Sequence, residues 1–85
     1  MELWKSIIDS MDAVQGKSND MLLELVNYQY GYVGYCIGYN RQEEAGSYLN
    51  LALKNIEYLE KENYESSTIY AYKSAFYGIK MKINP

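Results

Sequence analysis

The chain has 85 residues, of which 48% are hydrophobic and 22% charged, a composition typical of one small globular domain and not of a disordered segment. It contains no histidine and a single cysteine, which excludes histidine general bases, catalytic triads and multi-thiolate metal sites. The net charge of −3 argues against nucleic acid as the main partner. We therefore expect a protein that is not an enzyme and that holds no cofactor or metal.

The first two predicted helices are separated by Gly16. Apolar residues recur at helical spacing in the first segment, at Leu3, Trp4, Ile7, Ile8 and Met11. Gly16 is predicted to end this helix, because glycine adopts the left-handed conformation of a C-terminal cap without steric cost. Ser18 or Asn19 is predicted to cap a second helix over residues 20–38, in which Glu24 and other polar residues exclude a membrane span.

Two further helices are predicted in the second half of the chain. Asn40 is predicted to cap the third helix, with Glu43 completing a capping box. Asn63 is predicted to end it, and Ser66 or Ser67 to begin the fourth helix. The third helix carries an apolar stripe at Ala45, Leu49, Ala52, Ile56 and Leu59, and the fourth carries one at Ile69, Tyr72, Phe76, Ile79 and Ile83. Because the loops are short, the sequence predicts an all-α fold of about four helices in stacked antiparallel hairpins.

A shift of forty residues aligns the second predicted helix with the fourth. Tyr30, Gly31, Tyr32, Gly34, Ile37 and Gly38 align with Tyr70, Ala71, Tyr72, Ser74, Tyr77 and Gly78. We interpret the small residues, Gly34 in particular, as positions where a neighbouring helix approaches closely. Repeats of about 20–50 residues in helical chains are typical of solenoids, in which each hairpin packs on the next.

The residue pattern of the second and third helices is that of a known repeat. The second helix has an aromatic, an apolar, a small and a large residue at Tyr30, Val33, Gly34 and Ile37, and the third has Ala45, Leu49 and Ala52. Over about residues 20–85 the chain thus resembles the tetratricopeptide-repeat family, although the family's period is about 34 residues and its second helix is followed by proline. The resemblance implies a right-handed superhelix, with residues 1–85 forming one domain of a longer repeat array. It also implies a concave surface, lined here by the second and fourth helices, that receives a peptide or protein.

Eleven of the 85 residues are tyrosines, and three interpretations of them stay open. The rings fill core space, with their hydroxyls reaching water at the edge, or they line a groove that holds a peptide, because tyrosine offers a large rigid contact area. A groove that stacks on a sugar ring is a third alternative. The candidate partner-binding face consists of Tyr30, Tyr35, Tyr39, Tyr70 and Tyr77.

Charge is divided unevenly along the chain. Residues 1–65 have a net charge of −6, and residues 66–85 have a net charge of +3. Either the fourth helix lies against the acidic end of the third, or the basic end of one chain contacts an acidic face of the next. The sequence therefore predicts a non-catalytic scaffold that binds a peptide or protein. The alternative is a self-associating structural module, such as a homodimer in which a partner copy completes the second hairpin.

Overall fold

The computed structural model describes residues 2–83, and all regular secondary structure within this range is helical. The helices are α1 (Glu2–Ala13), α2 (Asn19–Gly38), α3 (Gln42–Lys61) and α4 (Ser66–Ile83). Helices α2 and α3 form the central hairpin, with α1 packed mainly on α2 and α4 packed mainly on α3. The predicted all-α arrangement of four helices in hairpins is confirmed.

The apolar stripes predicted from the sequence form the core. Every residue of the stripe on α3 is buried, and on α4 the two completely buried side chains are Ile69 and Phe76. Helix α2 contributes the largest share, burying Leu22, Leu25, Val26, Gln29, Tyr32, Val33 and Cys36. Because α2 packs against both α1 and α3, its burial holds these two helices in place.

The turn between α2 and α3 differs from the predicted one. Asn40 has a left-handed backbone with φ of 60°, and the Arg41 amide donates a hydrogen bond to the Cys36 carbonyl at 2.7 Å. This pattern is a Schellman motif, in which a left-handed residue closes the preceding helix. The predicted capping of α3 by Asn40 and Glu43 is therefore wrong, because an N-cap needs an extended backbone and Asn40 already ends α2.

The other helix ends agree with the sequence. Ser18 is the N-cap of α2, since its side chain accepts a hydrogen bond from the Met21 amide at 3.2 Å. Asn63 has φ of 55° and ends α3 in a second Schellman motif. Gly16 has the predicted left-handed backbone, with φ of 67°, but α1 already ends at Ala13, three residues before it.

Only one glycine of α2 lies at a close contact between helices. A Cβ atom at Gly31 would overlap the ring of Trp4 in α1. At Gly34 and Gly38, in contrast, no atom from elsewhere in the described part of the chain lies within 4 Å of a Cβ position. The prediction that Gly34 is a close-approach position is wrong, because neither α1 nor α4 covers that part of the α2 surface.

Helix α4 carries the basic end of the chain against α3. Lys73 Nζ lies 2.9 Å from Glu60 Oε2, as the intramolecular interpretation of the charge pattern predicted. Between residues 2 and 83, none of the helices combines the length and the apolar character that a membrane crossing requires.

Candidate binding groove

Three hollows follow the surface of α2 between α1 and α4. One of about 460 Å³ lies between α1 and α2, one of about 500 Å³ lies between α2 and α4, and one of about 350 Å³ lies beside the N-terminal half of α2. Tyr30 lines the first two, Asn27 lines the first and third, and Thr68 and Tyr72 line the second and third. Neighbouring hollows adjoin at these shared residues, and we call the three hollows together the α2 groove.

A stripe of residues on α2 runs along the groove and continues beyond its end. Its members follow 4-3-4-3-4 spacing, which places them on one face of the helix: Asp20, Glu24, Asn27, Gly31, Gly34 and Gly38. All of them are exposed except Gly31, which is half-buried. The part of the stripe that lines the hollows, from Asp20 to Gly31, is about 16 Å long at about 1.5 Å per residue, and Gly34 and Gly38 lie beyond it. The N-terminal end of the stripe carries carboxylates, and its C-terminal end consists of glycines.

Aromatic rings of α2 and α4 form one rim of the groove. Tyr30 is 40% exposed, and its ring makes edge-to-face contacts with Tyr72 and Phe76, with centroid distances of 5.7 Å and 5.5 Å. The Tyr72 hydroxyl donates a hydrogen bond to Asn27 Oδ1 at 2.6 Å. Burial raises the pKa of Tyr72, which keeps this donor protonated. The rim is therefore held in place by packing and by a hydrogen bond between α2 and α4.

The opposite rim is built from α1. The Trp4 ring lies over Gly31, where the absence of a side chain makes room for it. Leu3 and Ile7 extend this rim along α1, and Tyr28 faces them from α2. The indole nitrogen of Trp4 is buried and has no hydrogen-bond partner among residues 2–83, which costs stability.

Beneath this rim lies an aromatic cluster whose hydroxyls are bonded to carboxylates. The fully buried Tyr32 ring contacts Trp4 of α1 and Tyr48 of α3, with centroid distances of 6.1 Å and 5.0 Å. The Tyr32 hydroxyl donates to Glu44 Oε2 at 2.5 Å, and the Tyr48 hydroxyl donates to Asp9 Oδ1 at 2.8 Å. The bond from Tyr32 lowers the pKa of Glu44, while burial raises the pKa of both tyrosines. These contacts tie α1, α2 and α3 together under the groove.

The five candidate tyrosines do not form one surface. Tyr30 lines the α2 groove. Tyr35 and Tyr39 lie about 140° and about 180° around the helix from Tyr30. Their rings contact each other, with a centroid distance of 4.7 Å. Tyr70 and Tyr77 are exposed on α4, outside the hollows that form the groove. Neither the alignment of the chain with itself at a shift of forty residues nor the number of tyrosines distinguishes the groove, the Tyr35 and Tyr39 side of α2, and the exposed surface of α4.

Several groove residues were not singled out from the sequence. Trp4 and Asn27 were missed, because one belongs to a helix outside the repeat resemblance and the other is an ordinary polar residue. The signal that identifies the groove is the exposed 4-3-4-3-4 stripe of α2, since a regular stripe without apolar residues is a helix face that the core does not use.

Chemical groups suited to catalysis or metal binding are not gathered at the groove. In the part of the chain that the structure describes, no group of three or more cysteine, aspartate and glutamate side chains is placed to hold a metal ion. Cys36 is buried in α2, and burial raises the pKa of its thiol, which disfavours the reactive thiolate. What the groove offers is contact surface.

The α2 groove thus has rigid aromatic rims, a floor that partly lacks side chains, and carboxylates at one end. Comparison of the chain with protein-family models, with curated proteins and with solved structures finds no match.

Proposed function

We propose that this chain is a non-catalytic interaction module that binds a peptide segment of a partner protein in the α2 groove. The observation that carries the proposal is the row of adjoining open hollows across α1, α2 and α4. The tetratricopeptide resemblance implies a binding surface on α2 and α4, and the groove lies on both helices.

The dimensions and chemistry of the groove suit a peptide. The floor from Asp20 to Gly31 is about 16 Å long, which matches about five residues of extended chain at about 3.3 Å per residue. Trp4, Tyr28 and Tyr30 offer rigid ring surface, which binds apolar side chains at a low cost in conformational entropy. At the N-terminal end of α2, Asp20 and Glu24 are both exposed, and they favour a basic residue of the peptide at this end.

A bulky side chain placed just beyond the end of the floor tests this proposal. In a helix, side chains lean toward the N-terminus, so the ring introduced by Gly34→Phe lies over Tyr30 and Gly31 and blocks that end of the groove. No atom from elsewhere in residues 2–83 lies within 4 Å of the new Cβ, so the fold tolerates the change. Gly46→Phe is the matched control, because Gly46 is a helical glycine on α3 with equally open space.

The probes are peptides selected from a random display library against the unmodified chain, with binding measured by fluorescence anisotropy. We expect Gly34→Phe to weaken binding at least tenfold, equivalent to about 1.4 kcal/mol, and Gly46→Phe to leave it unchanged. Far-ultraviolet circular dichroism checks that both variants remain helical. Selected peptides that bind Gly34→Phe as tightly as the unmodified chain, or a library that yields no binder, would contradict the proposal.

A further inference from the structure

Helix α4 presents an apolar face that points away from the rest of the molecule. Tyr70 is 72% exposed, Tyr77 47% and Met81 72%. Their spacing of seven and four residues places them on one face of the helix, which we call the outer face of α4. Lys80 Nζ lies 5.8 Å from the centroid of the Tyr77 ring. Large side chains grouped in this way on a surface are typical of an interaction site.

The internal repeat relates the outer face of α4 to a face of α2 that is in contact with another helix. Tyr70 aligns with Tyr30 at the forty-residue shift, and the ring of Tyr30 packs between Tyr72 and Phe76 of the next aligned helix. Tyr70 has the equivalent place on α4, but its ring has no aromatic neighbour among residues 2–83. The outer face of α4 therefore corresponds to the face of α2 on which α4 packs.

The same alignment identifies a surface that can receive the outer face. Ile79, on the side of α4 that packs inward, aligns with Tyr39 at the end of α2. Tyr39 is 67% exposed, so the face of α2 that corresponds to the inward side of α4 is open at this position. Tyr32, which aligns with Tyr72, is covered by α1 and α3. A second copy whose α2 packs on the outer face of α4, as α4 packs on α2, would therefore make its contact at the Tyr39 end.

Charge at the two surfaces is complementary. Lys80 and Lys82 follow Tyr77 in the last turn of α4, and no carboxylate of the described residues pairs with them. Glu43 is exposed shortly after Tyr39 and is likewise unpaired within residues 2–83. A symmetric pairing through α4 would bring together two helices that carry lysines and no carboxylate, which disfavours it.

We infer that the outer face of α4 binds a second copy of this chain, at the edge formed by Tyr39 and Glu43. Tyr77 and Met81 of one copy pack against Tyr39 of the next, and Lys80 approaches Glu43. Because the two surfaces differ, the contact is head-to-tail, and repetition of it extends the helical stack beyond two copies. The inference is independent of peptide binding in the α2 groove.

Light scattering after size exclusion, together with sedimentation equilibrium, measures this association up to about 1 mM chain, where a contact of about 4 kcal/mol is half-formed. We expect the average mass to rise above 9.9 kDa with concentration and to pass the mass of two chains. Tyr39→Ser and Tyr77→Ser should each weaken association at least tenfold. Tyr58→Ser, which changes a half-exposed tyrosine of α3, is the matched control and should have no effect.

Mixing the two weakened variants distinguishes head-to-tail from symmetric contact. Tyr77→Ser keeps an intact Tyr39 edge, and Tyr39→Ser keeps an intact outer face, so their equimolar mixture should restore one contact and stop at two chains. The mixture also shows that both variants are folded, since only folded surfaces restore binding. A chain that stays monomeric at every concentration, or a mixture that stays monomeric while the unmodified chain dimerises, would overturn the inference.

Discussion

Replacing glycine by alanine should affect stability differently at two glycines of α2 that lie three residues apart. A Cβ at Gly31 overlaps the Trp4 ring, whereas a Cβ at Gly34 meets no atom from elsewhere in residues 2–83 within 4 Å. Replacing glycine by alanine inside a helix stabilises the helix by about 0.8–1 kcal/mol. Nothing opposes this gain at Gly34, so we expect Gly34→Ala to raise the free energy of unfolding by about 1 kcal/mol.

At Gly31 the same gain is offset by overpacking. Inserting a methyl group into a filled contact costs about 1–3 kcal/mol, so Gly31→Ala should range from neutral to a loss of about 2 kcal/mol. The difference in the free energy of unfolding between the two variants tests the contact more directly than either value, because the gain in helix propensity is common to both and cancels. We expect Gly34→Ala to be the more stable of the two by about 1–3 kcal/mol.

Urea denaturation followed by circular dichroism measures both free energies of unfolding. Trp4 is the single tryptophan of the chain, so its fluorescence reports on this contact alone. Gly31→Ala should displace the ring toward water and move its emission maximum to longer wavelength, and Gly34→Ala should leave the maximum unchanged. Equal stabilisation of both variants with unchanged emission would refute the packing of α1 on α2 through Gly31.

Two further predictions concern the buried hydroxyls and the end of α3. Burial and carboxylate partners raise the pKa of Tyr32 and Tyr48 above the ordinary value of 10.0, so the folded state favours the protonated phenols. Stability should be intact below pH 10, about the tyrosine pKa of the unfolded chain, and should fall as the pH rises above it. Urea midpoints at increasing pH should fall less steeply in Tyr48→Phe, and an unchanged slope would argue against this cause. Asn63 ends α3 with a positive φ of 55°, so Asn63→Ala should lower the free energy of unfolding by about 1 kcal/mol, while Asn63→Gly should not. Equal thermal midpoints for these two variants would contradict the assigned backbone.

The helices and their buried stripes could be predicted from the sequence, because both depend on local spacing. Residues 45–59 of α3 carry apolar side chains on one face of a helix, and whichever partner packs there, that face is buried. Ser18 could be predicted as a cap for a similar reason, since its hydroxyl bonds an amide only three residues away. Local chemistry also suffices to end α3 at Asn63.

Asn40 shows where local chemistry is ambiguous. Asparagine favours both the N-cap of a helix and the left-handed residue that ends one. Asn40 lies between two helices and is suited to either role, but one backbone conformation excludes the other. The structure has the Schellman motif, in which the Arg41 amide bonds to the Cys36 carbonyl.

The sequence by itself determined the four helices, their hairpin order and the apolar faces that form the core. Only the tertiary structure decided that Gly31 accommodates Trp4 while Gly34 stays open, and that Tyr32 is buried while Tyr30 lines a groove. The physical reason is that helical spacing shows which residues share a face, whereas the neighbour of each face depends on contacts between distant residues. The α2 groove exists because α1 and α4 pack on either side of a helix face that they leave uncovered.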